Sequence, residues 1–94
     1  MPVIGVLTLE IWIESSHSLK DKRQVIRSLK DRIREKFNVS VAEIDGLDSW
    51  QNSVVAIATV ANDRTYAEKV LQAAESHASS LLGGSLSGSG IEWL

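Results

Sequence analysis

Ninety-four residues, 44% hydrophobic and 23% charged, describe one globular domain, residues 1–94, with a small core. No apolar run reaches the ~18 residues of a membrane span, and the absence of cysteine excludes disulfides, a thiolate nucleophile and a thiolate metal site. The formal charge of −2 hides a split: Lys20–Lys36 holds eight basic and three acidic residues, while the remainder holds two basic and nine acidic ones, a pattern that points to a local anion-binding face.

The N-terminal "MPVIGVLTLEIWI" has no basic start and no small-residue cleavage site, so it reads as a strand rather than a secretory signal, and a cytoplasmic location is the simplest expectation. Its residues alternate. Val3, Gly5, Leu7, Leu9, Ile11 and Ile13 fall on one face, and Ile4, Val6, Thr8, Glu10, Trp12 and Glu14 on the other. "ESSHS" breaks the alternation, and Ser18 with Asp21 three residues on marks a helix start. The helix is expected to run to about Phe37. Leu19, Val25, Ile26, Leu29, Ile33 and Phe37 fall within an arc of about 120° at 100° per residue, a core-facing stripe.

"NVSVAEI" is a second strand, followed by a turn marked by Asp45-Gly46. "NSVVAIATVA" is a third and the most apolar strand, which puts it in the centre of a sheet. Asn62-Asp63, or Thr65 with Glu68, opens a second helix whose stripe is Tyr66 or Ala67, then Val70, Leu71, Ala74, Ala78 and Leu81. Gly83-Gly84 ends it. "SLSGSGIEWL" has the composition of a linker; as a strand it is a poor one that belongs at a sheet edge. The order β-α-β-β-α-β is the ferredoxin-like split βαβ pattern, an α+β fold. Right-handed crossovers give a four-stranded antiparallel sheet of order 4-1-3-2 with both helices on one face.

Two features of that arrangement bear on function. Lys20, Arg23, Arg27, Lys30 and Arg34 span about 80° of the first helix beside its apolar stripe, forming a cationic ridge ~20 Å long that suits phosphate or RNA. The other readings of this ridge are a solvated helix face partly paired to Asp31 and Glu35, and contact with an acidic protein. The sheet face without helices carries Ile4, Val6 and Trp12, joined by Val54, Ala56, Ala58 and Val60 or by Val55, Ile57 and Ala61. A solvent-facing antiparallel sheet is normally polar there, so a second copy is the expected cover, most simply in a dimer; the alternative is partial cover by the C-terminal tail or loops.

Base-reading aromatics of an RNA-recognition motif are missing from the third strand, so any RNA contact falls to the ridge. No catalytic constellation is visible. His17 reads as a polar loop residue, and Glu43, Asp45 and Asp48 around the second turn read as turn-forming and solvating groups rather than a cation site. No cofactor is expected.

"HSLKDKRQVIRSLKDRIREKFNVSVAEIDGLDSWQ" closely resembles the signature of the YlxP-like family (domain of unknown function DUF503), carried by Leu19–Arg23, Lys36–Glu43 and Trp50-Gln51. The resemblance implies small bacterial proteins with a ferredoxin-like fold. It also implies genes beside those for translation-initiation and ribosome-maturation factors, and hence a link to ribosomal RNA or a ribosome-associated factor. It implies no catalytic residues. Trp50 and Gln51 read as a packing anchor and a turn partner. A non-enzymatic RNA- or ribosome-associated oligomer is the leading expectation; a small-molecule-binding or purely structural oligomer is the alternative.

Overall fold

Alternation in period two and stripes in period 3.6 meet in one core. The computed structural model describes residues 1–94 as β1 (Val3–Trp12), α1 (Leu19–Lys36), β2 (Ser40–Asp45), β3 (Asn52–Ala61), α2 (Arg64–Leu82), a 3-10 turn (Gly83–Ser85) and β4 (Leu86–Trp93). The strands form one antiparallel sheet in the order β2-β3-β1-β4, which is the expected order read from the other edge. β1 and β3 pair along their whole length, from Val3 opposite Ala61 to Trp12 opposite Asn52.

Both helices start where side-chain oxygens replace missing backbone partners. Ser18 caps α1 by accepting from the Asp21 N–H at 3.0 Å, and Asp21 in turn accepts from the His17 N–H at 3.2 Å. Asp63 caps α2 by accepting from the Tyr66 N–H at 2.9 Å. Gly83 ends α2 at φ +56°, a conformation that a side chain disfavours.

The odd residues of β1 and β3 face the helices. Leu7, Leu9, Ile11, Val55 and Ile57 pack against Ile26, Leu29 and Ile33 of α1 and Leu71 of α2. The small Ala67, Ala74 and Ala78 also lie on the buried face of α2. Five expected core positions differ. Leu19, Phe37 and Val70 are half-buried, while Val25 and Leu81 are exposed. The last two line a groove between the helices that the small side chains of α2 do not close.

The Gly/Ser-rich β4 is held at its far end. Trp93 fills space left by Gly5, where a Cβ would meet both the indole and Leu71 Cδ1 at 2.7 Å. The Arg64 guanidinium stacks on the same indole at 4.7 Å from its centre. The uncovered face carries Ile4, Val6, Thr8, Glu10 and Trp12 of β1, opposite Val60, Ala58, Ala56, Val54 and Asn52 of β3 in that order. This settles the register left open by sequence: Val55 and Ile57 are in the core. Trp12 is 44% exposed and Val60 63%. No helix is long and apolar enough to cross a membrane.

Candidate nucleic-acid interface and the buried lysine beside it

The ridge residues stand on α1 as the helical period dictates. Lys20, Arg23, Arg27 and Arg34 are exposed and Lys30 is half-buried. Lys20, Arg23, Arg27 and Lys30 form no ion pair within the chain. Arg34 is partly engaged: its Nη2 donates to the Val41 carbonyl at 2.8 Å, and its Nη1 lies 3.7 Å from Asp31 Oδ1. It ties the C-terminal end of the ridge to the start of β2. Four cations therefore remain free for an external anion.

Another cation of α1 points the other way. Lys22 is fully buried. Its Nζ lies 2.9 Å from Glu43 Oε2 and donates as well to the carbonyls of Gly46 and, at 3.3 Å, Asn52. The Leu47 carbonyl stands 3.5 Å away. Glu43 Oε2 also accepts from Ser53 Oγ at 2.6 Å. An ammonium removed from water is tolerated only when paired and hydrogen-bonded, and both conditions are met. The start of α1 and the end of β2, which sequence separation alone did not bring together, are joined here. The signal was available: at 100° per residue Lys22 falls inside the arc of Leu19, Ile26, Leu29 and Ile33, where a lysine requires a buried partner.

Lys22 gathers the 46–51 loop. The Gly46 carbonyl also accepts from the Ser49 N–H at 3.0 Å, and Ser49 Oγ accepts from the N–H groups of Gln51 and Asn52. Gln51 is the turn partner expected: its carbonyl accepts from the Ile13 N–H at 2.9 Å and its Nε2 donates to the Glu14 carbonyl at 3.1 Å. Trp50 between them is not a packing anchor. Its side chain is exposed, because the loop is secured by backbone and polar contacts and not by the indole.

The acidic trio separates by role. Glu43 is the partner of Lys22, Asp45 Oδ1 accepts from the Gly46 N–H at 2.7 Å, and Asp48 is exposed. No three His, Asp or Glu side chains gather as a metal site needs. His17 is an exposed loop residue, and the His77 ring meets Phe37 edge-on at 6.0 Å. The groove between the helices, about 500 Å³, is lined by Val25, Leu29, Leu81 and Leu82 with Arg32 among its polar residues.

This architecture is ferredoxin-like. It resembles a dimeric ferredoxin-like protein of unknown function from Thermobifida fusca, with a TM-score of 0.58 at 13% identity over 99% of this chain and 90% of that one. It also resembles a de novo designed protein with ferredoxin fold, LFR1 1, with a TM-score of 0.50 at 10% identity over 100% of this chain and 84% of that one. Within that class, the chain belongs to the family described as "Protein of unknown function (DUF503)", matched over residues 4–85. It is similar to the uncharacterized protein YlxP of Bacillus subtilis (strain 168), 41% identical over 70 residues that make up 74% of this chain and 76% of that one. The family match spans the ridge, Lys22, Glu43 and Trp50 and stops at Ser85, so β4 lies outside it.

Proposed function

We propose that the chain is a non-enzymatic cytoplasmic module that binds ribosomal RNA along the ridge of α1 and pairs with a second copy across its open sheet face. The observation that carries the first half is the set of four cations, Lys20, Arg23, Arg27 and Lys30, aligned on one helix face without an acidic partner. Such a ridge attracts a phosphate chain and releases counterions when it binds. The decisive measurement is affinity for ribosomal RNA as a function of salt. Three to five phosphate contacts on a single strand give a log–log slope of roughly −2 to −3.5. Absence of binding at low salt overturns the reading.

The pairing rests on Ile4, Val6 and Trp12 of β1 with Val54, Ala56, Ala58 and Val60 of β3, a largely aliphatic face interrupted by Thr8 and Glu10. A sheet of this size offers roughly 500 Å² of face per copy at ~3.3 Å per residue and ~4.8 Å between strands. Two such faces total about 1,000 Å², the lower bound for a biological interface and the size of a weak one. The dimeric ferredoxin-like protein from Thermobifida fusca shares the fold and supports this half of the proposal. The groove beside Arg32 favours the second reading, a small-molecule-binding oligomer. A pull-down with and without ribonuclease separates the two: ribosomal partners lost with ribonuclease support the first, and a co-purifying metabolite supports the second.

A further inference from the structure

An exposed tryptophan on a rigid loop calls for an explanation. Trp50 is 58% exposed, and its indole makes no hydrogen bond, aromatic pair or cation–π contact within the chain. Its backbone is nonetheless held from both sides. Ser49 and Gln51 are hydrogen-bonded on either flank, and the Lys22 ammonium grips Gly46 and Asn52 from below. A ring on a fixed backbone loses little freedom when something stacks on it, which favours binding.

Its neighbourhood says what that partner is. Lys22 stands in the first turn of α1, between Lys20 and Arg23 in the chain though on the core side of the helix, so the loop it holds meets α1 at the end where the ridge begins. An indole at the end of a row of free cations suits single-stranded nucleic acid, whose phosphates take the charges and whose bases take the ring. A duplex does not present an unpaired base face, and an acidic peptide has no need of the indole.

We propose that Trp50 is the stacking platform for one unpaired base of single-stranded RNA whose phosphates follow Arg27, Arg23 and Lys20, with Lys22 as the positioning residue beneath it. This rests on the RNA reading above and adds a base contact that sequence alone did not assign. Stacking accepts any base, so affinity is expected to vary little with sequence.

The test titrates the full chain with a dodecamer of uridylate and one of adenylate at several salt concentrations. Trp50→Ala is expected to lower affinity about tenfold, within the range of one lost stacked base, while leaving the salt slope unchanged, because no phosphate contact is lost. Trp50→Phe should restore most of the affinity. In a Trp12→Phe/Trp93→Phe background, Trp50 emission should be quenched as the oligonucleotide saturates the protein. Wild-type affinity in Trp50→Ala, with Arg23→Glu/Arg27→Glu still weakened, overturns the platform and leaves the ridge standing. Emission that responds to protein concentration and not to RNA assigns the ring to a contact between copies and also overturns it. No binding by the wild-type chain at low salt removes the ridge and the platform together.

Discussion

Lys22 Nζ and Glu43 Oε2 stand 2.9 Å apart across 21 residues of chain, with the lysine side chain fully buried and the glutamate 13% exposed. This pair fastens α1 to the end of β2, and through Gly46 and Asn52 it fastens the loop that follows. Its cost in desolvation is met by three acceptors for the three protons of the ammonium and by Ser53 on the carboxylate.

Removing one partner should therefore be expensive. Lys22→Met leaves a carboxylate without its cation and takes the ammonium away from the Gly46 and Asn52 carbonyls. A loss of about 3–5 kcal/mol is expected in urea unfolding. Lys22→Met/Glu43→Leu should lose less than Lys22→Met alone, because the stranded charge is gone. A single variant as stable as wild type would show that the pair contributes nothing.

Charge reversal on the ridge should act on binding and not on folding. Arg23→Glu/Arg27→Glu places its changes outside the buried face of α1, so the circular dichroism spectrum should not change. Affinity for ribosomal RNA should fall and the salt slope should flatten by about 0.7 per lost contact. Lys30→Glu should behave likewise, whereas Arg64→Glu on α2 should do little to binding.

The open sheet face offers a test of assembly. Trp12→Glu puts a charge into the proposed contact between copies. Light scattering should show its mass shifting toward the monomer, with the core unchanged because Trp12 faces away from the helices. A wild-type chain that stays monomeric at high concentration ends the pairing proposal.

Gly5 is the place where one added methyl group should be felt most. Gly5→Ala sets a Cβ 2.7 Å from Leu71 Cδ1 and from Trp93 Cζ3. Leu71 can shift its methyl, but the indole is held between Gly5 and Arg64. A loss of about 1–3 kcal/mol is expected. Amide exchange should speed up along β4, whose register against β1 begins at the Gly5–Trp93 pair.

The layers of the fold are legible in the chain because period and burial are the same fact seen twice. Leu7, Leu9 and Ile11 alternate and are buried; Ile26, Leu29 and Ile33 recur at three and four and are buried. Strand order follows from the handedness of two crossovers, and the start of α1 follows from Ser18; for α2 the sequence allows Asp63 or Thr65, and Asp63 is the cap. The cationic ridge is likewise a property of one helix and needs no knowledge of what surrounds it.

Tertiary structure decided what depends on distance between segments. Helical period put Lys22 on the core side, but only the packing of α1 over β2 shows that Glu43, Gly46 and Asn52 surround it. Period alone ranked Val25 and Leu81 with the core, and only the spacing of the two helices left them at an open groove. Trp50 reads as a packing anchor from its place at the entry to β3, yet the polar bonds of Ser49, Gln51 and Lys22 hold its loop and leave the indole free. Local pattern fixes which face a side chain occupies; which partners meet it there is set by loop closure and packing, which act between residues far apart in the chain.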